Sequence, residues 1–186
     1  PKQHGFVRGR STETNLISIT QFLWDALDNQ HQVDVVYTDL SKAFDKIDHR
    51  LLLQRIEFLG FSDPLISLLS SYLDNSYLFV KNNGFKSQLF KQETGVPQGS
   101  VLGTLLFDIY INDIVGHLDV NCLLYADDMK IFYEINRRED GVQLLKNLDR
   151  VFKWSVHNDL PLNKNISVVM SYSNKCDIIK FDCIAD

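Results

Sequence analysis

The stretch Leu123-Leu124-Tyr125-Ala126-Asp127-Asp128-Met129 constrains this chain more than any other. Two adjacent carboxylates stand between two runs, Asn121 to Ala126 and Met129 to Glu134, whose apolar and aromatic content reads as a pair of strands. A tight turn that presents two like charges costs stability unless a cation shares the site. The fold has to deliver this tip to a place where chemistry, or a metal ion, compensates the repulsion.

A second acid, Asp39, closes the β-rich run from Val33 to Leu40. If that strand neighbours the hairpin in one sheet, Asp39 and Asp127 project from adjacent strand ends into a shared spot. Magnesium prefers hard oxygen ligands and keeps several waters, so a few carboxylates plus substrate phosphates complete its shell. Two such ions about 4 Å apart suit an in-line phosphoryl displacement. Taken singly, a polar turn at Asp127 and Asp128 and a helix cap at Asp39 explain these acids as well as catalysis does. Taken together with the Tyr-Ala context and the flanking apolar strands, catalysis explains more.

The rest of the chain supplies a scaffold. Leu16, Ile19, Leu23 and Leu27 recur at helical spacing between Thr14 and Asn29. Leu51, Leu52, Arg55, Ile56 and Leu59 signal a second helix that Gly60 stops, and Ser62, Asp63 and Pro64 open a third that runs to Asn75. Tyr77 to Lys81 and Ser87 to Glu93 read as a hairpin around Asn82, Asn83 and Gly84. An apolar helix is expected from Val101 to Val115, and Val142, Leu145, Leu148, Phe152 and Val156 mark a further amphipathic one. Ile166 to Tyr172 and Asp177 to Phe181 are expected as short closing strands. This irregular order of strands and helices predicts an α+β layer, with helices on one face of a largely antiparallel sheet.

Composition sets limits. With 186 residues, 45% hydrophobic and 23% charged, the chain is long and apolar enough to build one ordinary domain or part of one; a chain of this size buries roughly 70% of its unfolded surface. The net charge of −5 argues against a protein that wraps phosphate backbones unaided. Cys122, Cys176 and Cys183 are odd in number and lack paired C-x-x-C spacing, which points to a reduced, intracellular setting and to a metal held by oxygen. No apolar run approaches the roughly 18 residues of a membrane span, and a start at Pro1 rather than Met suggests an excerpt of a longer reading frame.

Four ordered blocks carry a resemblance. Gln3-His4-Gly5-Phe6 with Gly9-Arg10-Ser11-Thr12, then Tyr37-Thr38-Asp39-Leu40-Ser41-Lys42-Ala43-Phe44-Asp45, then Gly95-Val96-Pro97-Gln98-Gly99-Ser100-Val101-Leu102-Gly103, then Tyr125-Ala126-Asp127-Asp128, resemble the successive motifs of reverse transcriptases of non-LTR, jockey-like retrotransposons. The likeness covers nearly all of residues 1–186. It implies a polymerase palm-like antiparallel sheet plus part of the fingers, with the remaining fingers and the thumb incomplete. It also implies an RNA-directed DNA polymerase working on an RNA template, a DNA primer and deoxynucleoside triphosphates, with two Mg²⁺ ions that Mn²⁺ could replace.

By the same resemblance, Asp39, Asp127 and, more weakly, Asp128 are the metal-holding and catalytic residues, and the backbone carbonyl of Leu40 is a further ligand. Phe44 is implied as the ring that leaves no room for a 2′-hydroxyl; from sequence alone, an apolar residue opening a helix explains it equally well. Gln98 and Gly99 are implied against the incoming nucleotide and template. Arg8 and Arg10 are candidates for the triphosphate, because guanidinium groups pair bidentately with phosphate oxygens, although the family often has an Arg where this chain has Val7.

The pattern breaks at Leu160 to Ser167. Ile166 stands where the family carries a lysine implied in protonating the departing pyrophosphate, and loss of such a group slows catalysis by roughly two to four orders of magnitude. Lys164 reaches the same place only if the loop shifts. Two further readings therefore stand beside the polymerase: a weakened or inactive remnant that binds nucleic acid or merely folds, and another palm-like nucleotidyl enzyme such as a nucleotide cyclase.

Overall fold

The computed structural model of the chain describes residues 2–163, 166–175 and 177–180. Backbone contacts divide it into two compact units, residues 42–110 and the remainder.

The larger unit is built on a four-stranded, fully antiparallel sheet. β1 (Gln32–Thr38) lies between β7 (Asp128–Ile135) and β8 (Val168–Tyr172), and β6 (Asn121–Tyr125) forms the edge beyond β7. β1 is buried along almost its whole length: Val33, Val35 and Val36 are interior, and so is Asp34, whose Oδ1 accepts from Gln32 Nε2 at 2.9 Å. α1 (Thr12–Asp28) begins at Ser11, whose hydroxyl accepts from Thr14 N–H while Thr14 Oγ1 accepts from Ser11 N–H, a reciprocal cap. It packs Ile19 and Ala26, with Phe22 and Leu23, onto Val33, Val35, Leu123 and Phe132, and Phe22 meets Phe132 edge to face at 4.8 Å. α6 (Arg138–His157) follows β7 and packs against it. No helix among the described residues is long and apolar enough to cross a membrane.

Residues 42–110 form α2 (Ala43–Lys46), α3 (His49–Phe58), α4 (Asp63–Asp74), four short strands, and nearly all of α5 (Val101–Ile111). Asp48 caps α3 by accepting from Leu51 N–H at 2.8 Å, and Pro64 occupies the first turn of α4. The Arg55 guanidinium lies 4.2 Å from the centre of the Tyr110 ring and donates to the Tyr110 carbonyl.

Several expectations are corrected. The 77–93 hairpin is two short ladders: β2 (Tyr77–Leu78) with β5 (Phe90–Lys91), and β3 (Lys81–Asn82) with β4 (Phe85–Lys86). Its turn is the two residues Asn83 and Gly84, both with positive φ, as the twist of a tight hairpin demands. Two residues separate β2 from β3 while three separate β4 from β5, so the register shifts by one and the ladder breaks. The helix expected to reach Val115 ends at Ile111 and continues as a 3₁₀ segment, Asn112–His117. Residues 177–180 form no strand, and Phe181 lies outside the described residues.

The buried stripes of α1 and α6 are also rotated from those expected. Leu16 is exposed and Asn15 buried on α1. On α6, Val142, Phe152 and Val156 are exposed, while Leu144, Asn147, Val151 and Trp154 are buried. In each helix a polar residue takes an interior position because it has a partner there. Asn147 Oδ1 accepts from Asp119 N–H at 2.9 Å, and Asn15 Nδ2 donates to the Leu124 carbonyl at 3.1 Å.

Candidate active site

The register of β1 with β7 ends at Thr38 opposite Met129. Asp39 follows the last paired residue of β1, and Asp128, the first residue of β7, precedes its partner Met129. Ala126 and Asp127 form the two-residue loop that joins β6 to β7, closed by the Tyr125 and Asp128 pair. β1 neighbours the hairpin in one sheet, so the acid after β1 and the paired acids of the turn stand at the same end of that sheet.

Asp39 and Asp128 line a cleft of about 470 Å³, together with Tyr125, Lys130 and Ile166. Burial pushes the Asp127 carboxyl up; a backbone hydrogen bond at its own residue opposes this, and the charges of Asp39 and Asp128 add to it. Partial burial and Asp39 push Asp128 up, while Lys130 pulls it down. Burial lowers Lys130, against the opposing pull of Asp128. The charge of Asp39 raises the proton affinity of both turn acids, a repulsion that a divalent cation would relieve. The donors are all hard oxygens, which fits Mg²⁺ or Mn²⁺ rather than zinc. Among the described residues no three acidic, histidine or cysteine side chains are gathered tightly enough to cage an ion by themselves.

Leu40 is buried, and its neighbours tie the strand end to the segment after α6: Ser41 N–H donates to the Pro161 carbonyl at 2.8 Å, and Asn163 N–H donates to the Asp39 carbonyl at 2.8 Å. Arg8 is exposed, and Arg10 Nη1 donates to the Gln3 carbonyl at 3.3 Å. Ile166 forms part of the cleft wall and is about half exposed. Lys164 lies outside the described residues.

Within residues 42–110, the Phe44 ring stacks on Phe107 with centroids 4.0 Å apart and planes 6° from parallel. Gln98 is exposed and its Nε2 donates to Asp45 Oδ1 at 2.7 Å. Gly99 has φ +80°, a conformation that favours glycine, and is exposed.

Three residues of the site were not singled out from sequence. Lys130 sits two places after Asp128 on β7 and so shares its face of the strand; the period of two was a legible signal. Its Nζ donates to Asn15 Oδ1 at 2.5 Å. Asn15, four places before Ile19, was legible as a polar residue at a core position of α1. Gln3 is buried against the turn of Ala126, and nothing in its spacing announces that role.

Comparison with known proteins gives the family and the fold. RNA-directed DNA polymerase from mobile element jockey of Drosophila melanogaster is 27% identical over 184 residues, which is 93% of this chain and 20% of that protein. The probable RNA-directed DNA polymerase from transposon BS of the same organism is 32% identical over 142 residues, 72% of this chain and 16% of that protein. The chain therefore spans a fifth or less of the length of these two relatives. Among solved structures, apo telomerase from Candida tropicalis, truncated from its C-terminal domain, superposes with a TM-score of 0.71 at 19% identity, covering 95% of this chain and 37% of that one. The mixed helical and antiparallel architecture is thus the fold of the matched part of that protein. A family model described as reverse transcriptase (RNA-dependent DNA polymerase) matches residues 1–181, and on that match the chain belongs to the reverse transcriptase family.

Proposed function

We propose that this chain carries the polymerising centre of a retrotransposon RNA-directed DNA polymerase, transferring deoxynucleotides from their triphosphates to a primer 3′-hydroxyl on an RNA template. The observation that carries the proposal is the cleft that Asp39 and Asp128 line together, beside the turn that holds Asp127. The similar polymerases of jockey and BS support it over a non-catalytic remnant. A similar telomerase from Candida tropicalis, solved in complex with a fragment of telomeric RNA, supports an RNA partner.

In this reading Asp39, Asp127 and Asp128 would hold two Mg²⁺ ions, with the Leu40 carbonyl as a further ligand. When bound, the ions supply activation of the attacking hydroxyl and compensation of the charge that develops on the departing pyrophosphate. The residues of the chain do the positioning. By the family resemblance Phe44, whose ring stacks on Phe107, would be the wall to the sugar. Gln98 and Gly99 face the incoming nucleotide and template, and Arg8 and Arg10 take triphosphate oxygens. Lys130 adds a positive charge inside the cleft, beside Asp128.

Primer extension by the full chain with Mg²⁺ tests the proposal. Template-dependent, metal-dependent addition that Asp127→Asn abolishes is the expected result. Addition that survives Asp127→Asn, or turnover of nucleotides without primer and template as a cyclase would give, overturns it.

A further inference from the structure

Ala126 has φ +54°, and Asp127 is not in the left-handed region. A two-residue hairpin loop with only its first residue at positive φ is one in which glycine ordinarily takes that place. An alanine held there carries backbone strain of order 1–3 kcal/mol and persists only when its surroundings fix it. The next residue is Asp127, so whatever fixes Ala126 also fixes the origin of both turn acids.

One side chain makes four hydrogen bonds at this point. Gln3, only 5% exposed, uses Oε1 to accept from Ala126 N–H at 3.0 Å, from Gly5 N–H at 2.8 Å and from His4 N–H at 3.0 Å. Its Nε2 donates to the Ala126 carbonyl at 3.2 Å. The N–H and the carbonyl of the strained residue are thus both held by a single amide. The main chain adds two rungs: Leu124 N–H to the Lys2 carbonyl and His4 N–H to the Leu124 carbonyl, each 2.9 Å. Gly5 completes the seat, since a Cβ there would lie 2.3 Å from the Ala126 nitrogen.

We propose that Gln3 is a positioning residue that locks the loop of Ala126 and Asp127 and so sets the two turn acids for divalent-cation binding; this rests on the assignment of Asp127 and Asp128 as metal ligands made above. Gln3 is not among the residues that line the cleft. It acts as the outer groups around a metal site do, by holding ligands in their productive orientation, and loss of such partners costs about 10- to 100-fold in metal affinity or activity. A glutamine serves where an aliphatic residue of similar size would not, because both Ala126 peptide groups are inside and need partners.

The test uses the full chain with Mn²⁺ alone as probe, followed by electron paramagnetic resonance, and amide exchange without metal. In the unaltered chain the Ala126 amide is expected to exchange as slowly as the amides of β6 and β7; exchange at the rate of an open turn overturns the proposal without recourse to any variant. Gln3→Met, similar in volume and unable to hydrogen-bond this way, is expected to speed Ala126 exchange, to weaken Mn²⁺ binding about 10- to 100-fold, and to lower kcat for nucleotide addition by a similar factor with KM within about twofold. A folded Gln3→Met chain that binds Mn²⁺ as the wild type does overturns the proposal, provided Asp127→Asn abolishes binding. If Asp127→Asn leaves Mn²⁺ binding intact, the assignment of the acids is what fails, and this inference falls with it.

Discussion

Gly5→Ala turns the packing around the acidic turn into a number. Gly5 has no positive φ, so alanine is compatible with its backbone and the substitution acts through the added methyl alone. That methyl would sit 2.3 Å from Ala126 N, 3.0 Å from its Cα and 3.2 Å from its Cβ, where ordinary contact begins at 3.4 Å. The nearest atom is backbone on a loop held by two hydrogen bonds with the Gln3 amide, so it cannot swing aside as the end of a long side chain would. Either the segment 2–5 or the loop has to retreat by about 1.1 Å, the difference between 3.4 and 2.3 Å. Overpacking of this kind costs about 1–3 kcal/mol, and in a chain of this size each kilocalorie lowers Tm by about 2–4 °C. A misplacement of about 1 Å at a reacting centre costs on the order of 100-fold in rate. Thermal unfolding and single-turnover nucleotide addition should therefore both fall in Gly5→Ala. They should stay unchanged in Gly116→Ala, where an added Cβ meets nothing within 4 Å. Wild-type Tm and wild-type single-turnover rate in Gly5→Ala would refute the tight seat on which the positioning of Asp127 rests.

Further outcomes follow from other groups. Burial raises the Asp108 carboxyl to about 6, and its Oδ1 has no hydrogen-bond partner among the described residues. The folded chain thus holds this proton more tightly than the unfolded chain, so the contribution to stability is full below the ordinary carboxylate range and is lost as pH rises through about 6. Asp108→Asn should match the wild type near pH 4 and exceed it by about 1 kcal/mol at pH 7.5, a figure discounted for solvent screening; equal Tm at both pH values would contradict this. Asn15→Leu removes the bonds to the Leu124 carbonyl and from Lys130 and should cost about 1–3 kcal/mol in urea unfolding, whereas a gain in stability would show that those bonds do not matter. Cys122, pushed up to about 12 by burial, should resist iodoacetamide at pH 8 until the chain unfolds, and mass mapping of alkylated peptides reads this directly.

The sheet and its acids were legible because two simple signals coincided. Val33 to Tyr37 and the two strands around Asp127 carry runs of apolar and aromatic residues that only a largely buried sheet accommodates, and a carboxylate pair between such strands has few structural uses. The ordered motifs then supplied the family. The faces of α1 and α6 were misjudged because hydrophobicity was taken as burial. Asn15 and Asn147 are interior on account of partners distant in sequence, which no periodicity reveals, while Phe152 and Val156 remain exposed. The 77–93 hairpin was placed correctly but drawn as continuous, because a one-residue register shift leaves no mark in composition. Gln3 was visible as part of a motif and its task was not: a side chain that serves the backbone of residue 126 is recognisable only when both are seen together.

Iron-directed cleavage tests the central claim most directly. Fe²⁺ replaces Mg²⁺ at carboxylate sites, and with ascorbate and peroxide it generates hydroxyl radicals that cut the backbone beside the bound ion. If Asp39 and the Asp127–Asp128 pair hold the same ions, cuts appear in both segments, excess Mg²⁺ suppresses both together, and Asp127→Asn removes both. Cuts confined to one of the two segments, or a cut near residue 39 that persists in Asp127→Asn, would show that these acids do not share a site.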